Sequence, residues 1–107
     1  MNWEFEIKFE ELPLSEQNIA ATELSEQILD ASTDVSVEVK KENEQNMDFG
    51  GTLVLVLAAP AVVAVAKGIR DYLARQGRRI SIYSDGEVRA VNVSADEVEK
   101  IVSALRK

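Results

Sequence analysis

The 107 residues of this chain include no histidine and no cysteine, and its most abundant reactive side chains are carboxylates. Ser-His-Asp and Cys-His nucleophile systems, and zinc sites built on those ligands, are therefore excluded. Paired carboxylates remain as a route to acid-base chemistry. The acidic residues, however, follow predicted strand faces and loops, where exposure to solvent explains them. We expect no catalytic residues and no enzyme activity.

Two short segments look like ligand motifs but lack the partners those motifs need. Residues 47–51, MDFGG, contain the Asp-Phe-Gly of protein kinases, without the nucleotide-binding lysine motif or the HRD loop. Residues 42–48, ENEQNMD, offer oxygen ligands for Ca²⁺, without the spacing or glycine of an EF-hand. Phosphate-binding GxGxxG and GxxxxGK loops are absent as well. We expect no metal and no cofactor.

Positive charge is concentrated near the end of a predicted helix, at Lys67, Arg70, Arg75, Arg78 and Arg79. Cations at a helix C-terminus offset its dipole, which explains the cluster without a partner. Guanidinium groups also pair bidentately with carboxylates and are enriched at interfaces, and nearby tyrosines would add contact area if exposed. Arg75 and Arg78 are predicted to lie on the surface. Reversing their charges by mutation to Glu is therefore expected to change the stability of the protein little. The candidate partner-binding residues are Arg70, Tyr72, Arg75, Arg78 and Arg79.

The net charge of −7 is unevenly placed. Residues 1–50 carry 13 acids and 3 bases, whereas residues 51–107 carry 6 acids and 9 bases. The acidic half would repel phosphate backbones, so we expect no nucleic-acid partner. Two solvated faces explain the split, but complementary halves could also orient a protein partner or a second copy of the chain.

Apolar and polar residues alternate in three places, which is the pattern of half-buried strands. The first runs from Trp3 to Phe9, the second from Val35 to Val39, and the third begins at Ile80. Asp85-Gly86 then predicts a tight hairpin turn into a strand over 88–93. The polar positions of these strands predict an open sheet face that carries Glu4, Glu6, Lys8, Glu38 and Lys40. The acidic residues Glu4, Glu6, Glu10 and Glu38 form a second candidate docking surface.

Two helices have predicted starting residues. Ser15 is expected to cap a helix over 15–31, with Leu14 and Ile19 as a hydrophobic staple. Residues 94–97, SADE, form a capping box before a last helix. Its apolar stripe is expected at Val98, Ile101, Val102 and Leu105.

The most apolar part of the chain is a run of fourteen residues from Leu53 to Ala66 without a polar side chain. A membrane-spanning helix needs about 20 such residues, so we expect no membrane span. Pro60 divides the run, because proline is tolerated at the start of a helix but not inside it. A helix is predicted from near Pro60 to Gln76, ended by Gly77. Residues 52–57 fit either a helical turn or a central strand, and the flanking Gly and Ala favour helix.

The predicted order is β-α-β-α-β-β-α in one domain over residues 1–107. This order indicates an α+β two-layer sandwich with helices on one face of a mixed sheet. The N-terminal residues MNWEFEIKFEE have no basic segment followed by an apolar one, so we expect no secretory signal. Together with the absence of cysteine, this favours a cytoplasmic protein.

The segment TLVLVLAAPAVVAVAKGIRDYLARQGRRISIYSDGEV resembles the bacterial effector-associated constant component domains. The shared features are the apolar run, the break at residues 58–61, the helix ending YLARQGRR, the hairpin around SDGE and the final capped helix. The resemblance covers about residues 34–107. It implies a non-catalytic adaptor module in bacterial conflict systems, accompanying variable effectors such as proteases or nucleases.

Two functions of different classes follow. The first is a protein-interaction adaptor that binds an effector in a conflict, defence or signalling system. The second is a small structural protein that self-associates as a homo-oligomer through its complementary charged halves. An enzyme that uses carboxylates is a distant third.

Overall fold

The computed structural model describes residues 2–41 and 51–106. Both ligand-like segments, ENEQNMD and all but the last residue of MDFGG, lie outside the described residues. Five strands and three helices follow one another, with single 3₁₀ turns at Ala59–Ala61 and Ala95–Glu97 before the second and third helices. Their bounds are β1 Asn2–Lys8, α1 Leu14–Ala31, β2 Val35–Lys41, β3 Gly51–Ala58, α2 Val62–Gln76, β4 Ile80–Ser84, β5 Glu87–Val93 and α3 Val98–Arg106.

The strands form a five-stranded sheet in the order β2-β3-β1-β4-β5, and every pairing in it is antiparallel. The α+β sandwich is therefore confirmed, but the prediction of a mixed sheet is wrong. Strands β1 and β2 run in the same direction, and β3 lies between them. Strand β1 separates β3 from β4 in the same way. The order from β1 to β4 is the split βαβ arrangement of ferredoxin-like folds, extended here by β5 and α3.

The helical interpretation of residues 52–57 is wrong, because these residues form β3. Leu55 lies opposite Phe5 of β1 on one side and Val37 of β2 on the other. The neighbouring Val54 faces away from the helices and is still only 5% exposed. A strand that is buried on both faces is apolar at every position, so it lacks the period that would distinguish it from a buried helix.

Helix α2 begins and ends where the sequence predicts. Pro60 lies in the 3₁₀ turn just before Val62, and Gly77 ends the helix in the left-handed conformation at φ 63°. The predicted core face is buried as a set: Val62, Val65, Ala66, Ile69, Tyr72 and Leu73. A Cβ at Gly68 would lie 3.2 Å from the Ala31 Cβ, so this glycine allows α1 and α2 to approach closely.

The predicted start of α1 needs correction. The helix begins at Leu14, and the Pro13 carbonyl accepts hydrogen bonds from the Glu16 and Gln17 N–H groups at 2.9 and 3.1 Å. Pro13 therefore occupies the cap position, and Ser15 lies within the first turn. The predicted staple is also wrong, because Leu14 and Ile19 are both exposed.

In the C-terminal part of the chain, the turn and the helix start form where the sequence predicts them. Asp85 and Gly86 both have positive φ, 54° and 78°, as a two-residue turn with a right-handed twist requires. The Ser94 N–H donates to Glu97 Oε1 at 3.3 Å, as in a capping box. Helix α3 buries Ile101 and Leu105. The hairpin and the capped last helix are both confirmed.

The apolar run is the centre of the core, divided between β3 and α2. Leu53, Leu55 and Leu57 are fully buried beneath the helices, where they meet Val65 and Ile69 of α2 in one cluster. Within residues 2–41 and 51–106, no helix combines the length and apolarity that crossing a bilayer requires.

Two valines of α2 provide a matched test of this core. Val65 is 0% exposed and Val63 is 62% exposed. Val65→Asp should unfold the protein, because an unpaired buried charge costs several kcal/mol. Val63→Asp should change the free energy of unfolding by no more than about 0.5 kcal/mol. Chemical denaturation followed by circular dichroism measures both. A cooperative, fully folded Val65→Asp protein would contradict the core assignment.

Candidate functional site

The predicted partner-binding residues lie where α2 meets α1 and turns into β4. Arg70, Tyr72 and Arg75 belong to α2, and Arg78 and Arg79 follow its C-terminal glycine. The arginines reach the surface, but the Tyr72 side chain does not, since the residue is only 2% exposed. Tyr72 is therefore a core residue, and the prediction that it contacts a partner is wrong. Its position on the apolar face of α2 places its ring against Phe9, edge to face at a centroid distance of 6.2 Å.

Tyr72 is the centre of a polar network that joins the two helices. Its hydroxyl donates to Glu23 Oε1 of α1 at 3.0 Å and accepts a hydrogen bond from Arg78 Nη1 at 2.6 Å. Arg78 Nη1 also lies 3.0 Å from the same Glu23 oxygen. Burial of the phenol, assisted by its hydrogen bond to Glu23, raises the pKa of Tyr72 to about 12. The network therefore holds a neutral tyrosine between a carboxylate and a guanidinium.

The four arginines divide into two kinds by their partners. Arg70 pairs with Asp71 at 3.0 Å, and Arg78 pairs with Glu23. Arg75 Nη2 donates instead to the Gln27 amide oxygen at 2.9 Å. Arg79 Nη1 donates to the carbonyl of Asn92 at 3.4 Å. Both of these acceptors are neutral, so the charges of Arg75 and Arg79 are not compensated by a carboxylate within the described part of the chain.

Glu23 and Gln27 contact the arginines but carry no signal in the sequence that would indicate it. They lie one turn apart on α1, so they share one helix face, and that face meets α2. Their spacing was visible in the sequence, but many exposed helices carry polar residues four apart. Their arginine partners are 55 and 48 residues away along the chain, which no local pattern indicates.

The open face of the sheet carries the predicted acidic side chains. Glu4 and Glu6 of β1 lie opposite Val56 and Val54 of β3, on the face away from the helices. The Lys8 ammonium lies 4.9 Å from the centre of the Tyr83 ring, and the Tyr83 hydroxyl donates to Glu10 at 2.9 Å. Tyr83 thus contacts both a lysine and a glutamate on this side of the sheet. The Lys40 side chain, also predicted here, lies outside what the structure describes.

A groove of about 610 Å³ runs between β5 and α3. Its lining is mixed, with alanines 90 and 104 beside the charged side chains of Arg89, Glu99 and Lys100. Lys100 is paired with Glu97 at 2.6 Å, and Arg89 lies 3.6 Å from Glu87. The groove therefore has no strong net charge, and it indicates no particular ligand.

No group of three or more carboxylates that could hold a metal ion is found within the described ranges. No protein-family model, curated protein or solved structure matches the chain. Arg75 and Arg79 are the two arginines of the predicted cluster that have no carboxylate partner among the described residues. They lie on either side of Arg78 in the sequence, and Arg78 is held by Tyr72 and Glu23. We call these two residues the arginine pair.

The network changes what is expected of charge reversal at Arg78. Arg78→Glu would place a carboxylate beside Glu23 and remove the donor to the buried Tyr72 hydroxyl, so we expect a loss of about 2 kcal/mol in the free energy of unfolding. Arg75→Glu, on the exposed side of the same helix end, should change it by less than about 0.5 kcal/mol. Urea denaturation of the two variants and the wild type measures the difference. Equal stabilities would show that the network contributes nothing.

The raised pKa of Tyr72 predicts a dependence of stability on alkaline pH. Below its ordinary pKa of 10.0 the phenol is protonated in both states, so its contribution is fully present. Above pH 10.0 the unfolded chain loses this proton while the folded protein keeps it until about pH 12, which favours unfolding. Wild type should therefore lose stability more steeply over this range than Tyr72→Phe, which lacks the group. Parallel pH slopes for the two proteins, measured by denaturation at each pH, would contradict the assignment.

Proposed function

We propose that the protein is a non-catalytic protein-interaction adaptor of the bacterial cytoplasm, which binds an effector protein through the arginine pair. The resemblance to effector-associated constant component domains supports the class of function. The observation that supports this surface is that Arg75 and Arg79 are exposed and that, within the described part of the chain, they contact neutral acceptors. A carboxylate of a partner would supply the compensating charge that residues 2–41 and 51–106 do not.

The surroundings of the arginine pair suit a docking surface. Arg78 is only 21% exposed and is held by two hydrogen bonds, which fixes the turn between the two members of the pair. Gln27 orients Arg75, and the Asn92 carbonyl orients Arg79. Side chains already held in place lose less conformational entropy on binding. Arginine also pairs bidentately with carboxylates, so an acidic protein surface is the partner that this geometry fits best.

Self-association through complementary charged halves is the competing function. Glu23 of the acidic half already binds Arg78 of the basic half within one chain. Part of the attraction between the halves is therefore used inside the monomer. For this reason we place charge-driven assembly second to an effector partner.

The test is a double charge reversal, Arg75→Glu with Arg79→Glu. Proteins captured from the source bacterium by the wild type would be identified, purified and titrated against both forms at low and moderate salt. The variant should lose at least about tenfold in affinity, and wild-type affinity should fall as salt rises, because the contacts are between exposed charges. The thermal midpoint should stay nearly unchanged.

Arg89→Glu is the matched control, since Arg89 lies 3.6 Å from Glu87, so that its charge, unlike those of the arginine pair, already has a carboxylate partner. It should retain the partner at wild-type strength. Equal affinity of the wild type and the double variant would reject the arginine pair as the docking surface. A micromolar, salt-sensitive gel shift with single-stranded DNA or RNA would reject a protein-only partner. We expect none, because the open face is acidic and Tyr83 is the aromatic residue on it, whereas strand-binding platforms combine aromatics with a positive groove.

A further inference from the structure

The two edges of the sheet differ in regularity. Strand β5 shifts register against β4 twice, between the positions of Ile80 and Ile82 and again before Tyr83, and Asn92 within it has φ 51°. Strand β2 keeps one unbroken register with β3 from Val35 to Lys41. Bulges protect a sheet edge against further pairing, whereas a regular edge accepts another strand. Among the strands that the structure describes, only β2 therefore offers a regular edge.

The backbone of β2 presents three residues outward. The Ala58 N–H donates to the Asp34 carbonyl at 3.3 Å, which makes that position a hydrogen-bonded pair. Hydrogen-bonded pairs alternate along an antiparallel ladder, so Ser36 and Glu38 also bond to β3. The N–H and C=O groups of Val35, Val37 and Val39 consequently point away from the sheet. No strand among residues 2–41 and 51–106 pairs with this side of β2.

Apolar side chains border the same edge. The three valines of β2 are half-buried on the helix-covered face. On α1, Gln27 contacts Arg75 of α2, and Leu29 lies about 160° from Gln27 around the helix axis at about 100° per residue. Leu29 is therefore on the flank of α1 that faces away from α2, on the side of the β2 edge, where it is 51% exposed. Pairing at this edge would bury apolar surface as well as satisfy backbone groups.

We propose that the β2 edge binds the β2 edge of a second copy of the chain, forming a symmetric dimer with one continuous sheet. In an antiparallel pairing centred on Val37, Val37 meets its own counterpart, Val35 meets Val39 of the second copy, and Ser36 meets Glu38. The position of Asp34 then faces that of Lys40, twice in each dimer. Outward-pointing backbone groups meet each other in this register, as a ladder requires.

The charges and the valines of β2 together select this register. Centring the pairing on Glu38 would place two glutamates opposite each other, and centring it on Ser36 would place Asp34 opposite Glu38. Like charges directly opposite destabilise a strand pair. The strand is thus complementary to itself in the register that also matches valine with valine. This inference does not depend on the proposed function, because the arginine pair lies on the α2 side of the molecule.

Val37→Pro tests the proposal. Proline removes the outward N–H of residue 37, which β3 does not use, and proline is tolerated on edge strands. Sedimentation velocity over a range of concentrations should show a dimer for the wild type and a dissociation constant raised at least about tenfold for Val37→Pro. Val37→Thr, which keeps the N–H and the branched shape, should stay close to the wild type. Thermal unfolding of each protein verifies that it is folded.

A pair of charge variants tests the register without touching the backbone. Asp34→Lys should weaken the dimer, and Asp34→Lys with Lys40→Asp should restore it. A monomeric wild type at all concentrations would overturn the proposal, and so would a dimer that neither Val37→Pro nor Asp34→Lys weakens. Reversal of the arginine pair should leave the dimer intact, so that failure of this proposal and failure of the adaptor function are distinguished.

Discussion

The arrangement of the protein depends on the burial of β3, a strand that is apolar on both faces. Its backbone needs hydrogen-bonding partners on both sides, and β1 and β2 supply them. Since β3 lies between β1 and β2, the connection through α1 must cross over it. The connection through α2 must likewise cross β1 to reach β4. Both crossings place their helices on the same face, which leaves the other face to the charged side chains of β1 and β2.

The close contact between the two crossing helices decides the chemistry of the arginines. Gly68 lets α2 approach Ala31 of α1, and this brings Glu23 and Gln27 within reach of Arg78 and Arg75. Glu23 neutralises one arginine, while Gln27 only orients the other. The same packing that stabilises the helix layer therefore separates structural guanidinium groups from those available to a carboxylate outside the chain. Tyr72 takes part as a buried link, not as a contact surface.

The extension of the βαββαβ unit by β5 and α3 makes the two ends of the sheet unequal. Beyond β4 the sheet ends in a strand with two register shifts, and α3 packs beside it. Beyond β3 it ends in the regular strand β2. In such a sheet, another strand can be added at the regular edge but not at the edge that the bulges protect. Arg79 contacts β5, at the opposite end of the sheet from β2, so a partner bound there would not compete with the pairing of two copies.

Elements with local causes can be predicted from the sequence. The alternation in β1 and β2, the Asp85-Gly86 turn, the Gly77 helix end and the capping box at Ser94 each depend on residues within a few positions. The α+β class followed from these elements. Tertiary structure alone decided the state of residues 52–57, because a uniformly apolar segment has no period and only its pairing with two other strands makes it a strand. It also decided which arginines are compensated, because salt bridges and hydrogen bonds between α1 and α2 join residues 48 to 55 positions apart, and their formation depends on how the helices pack.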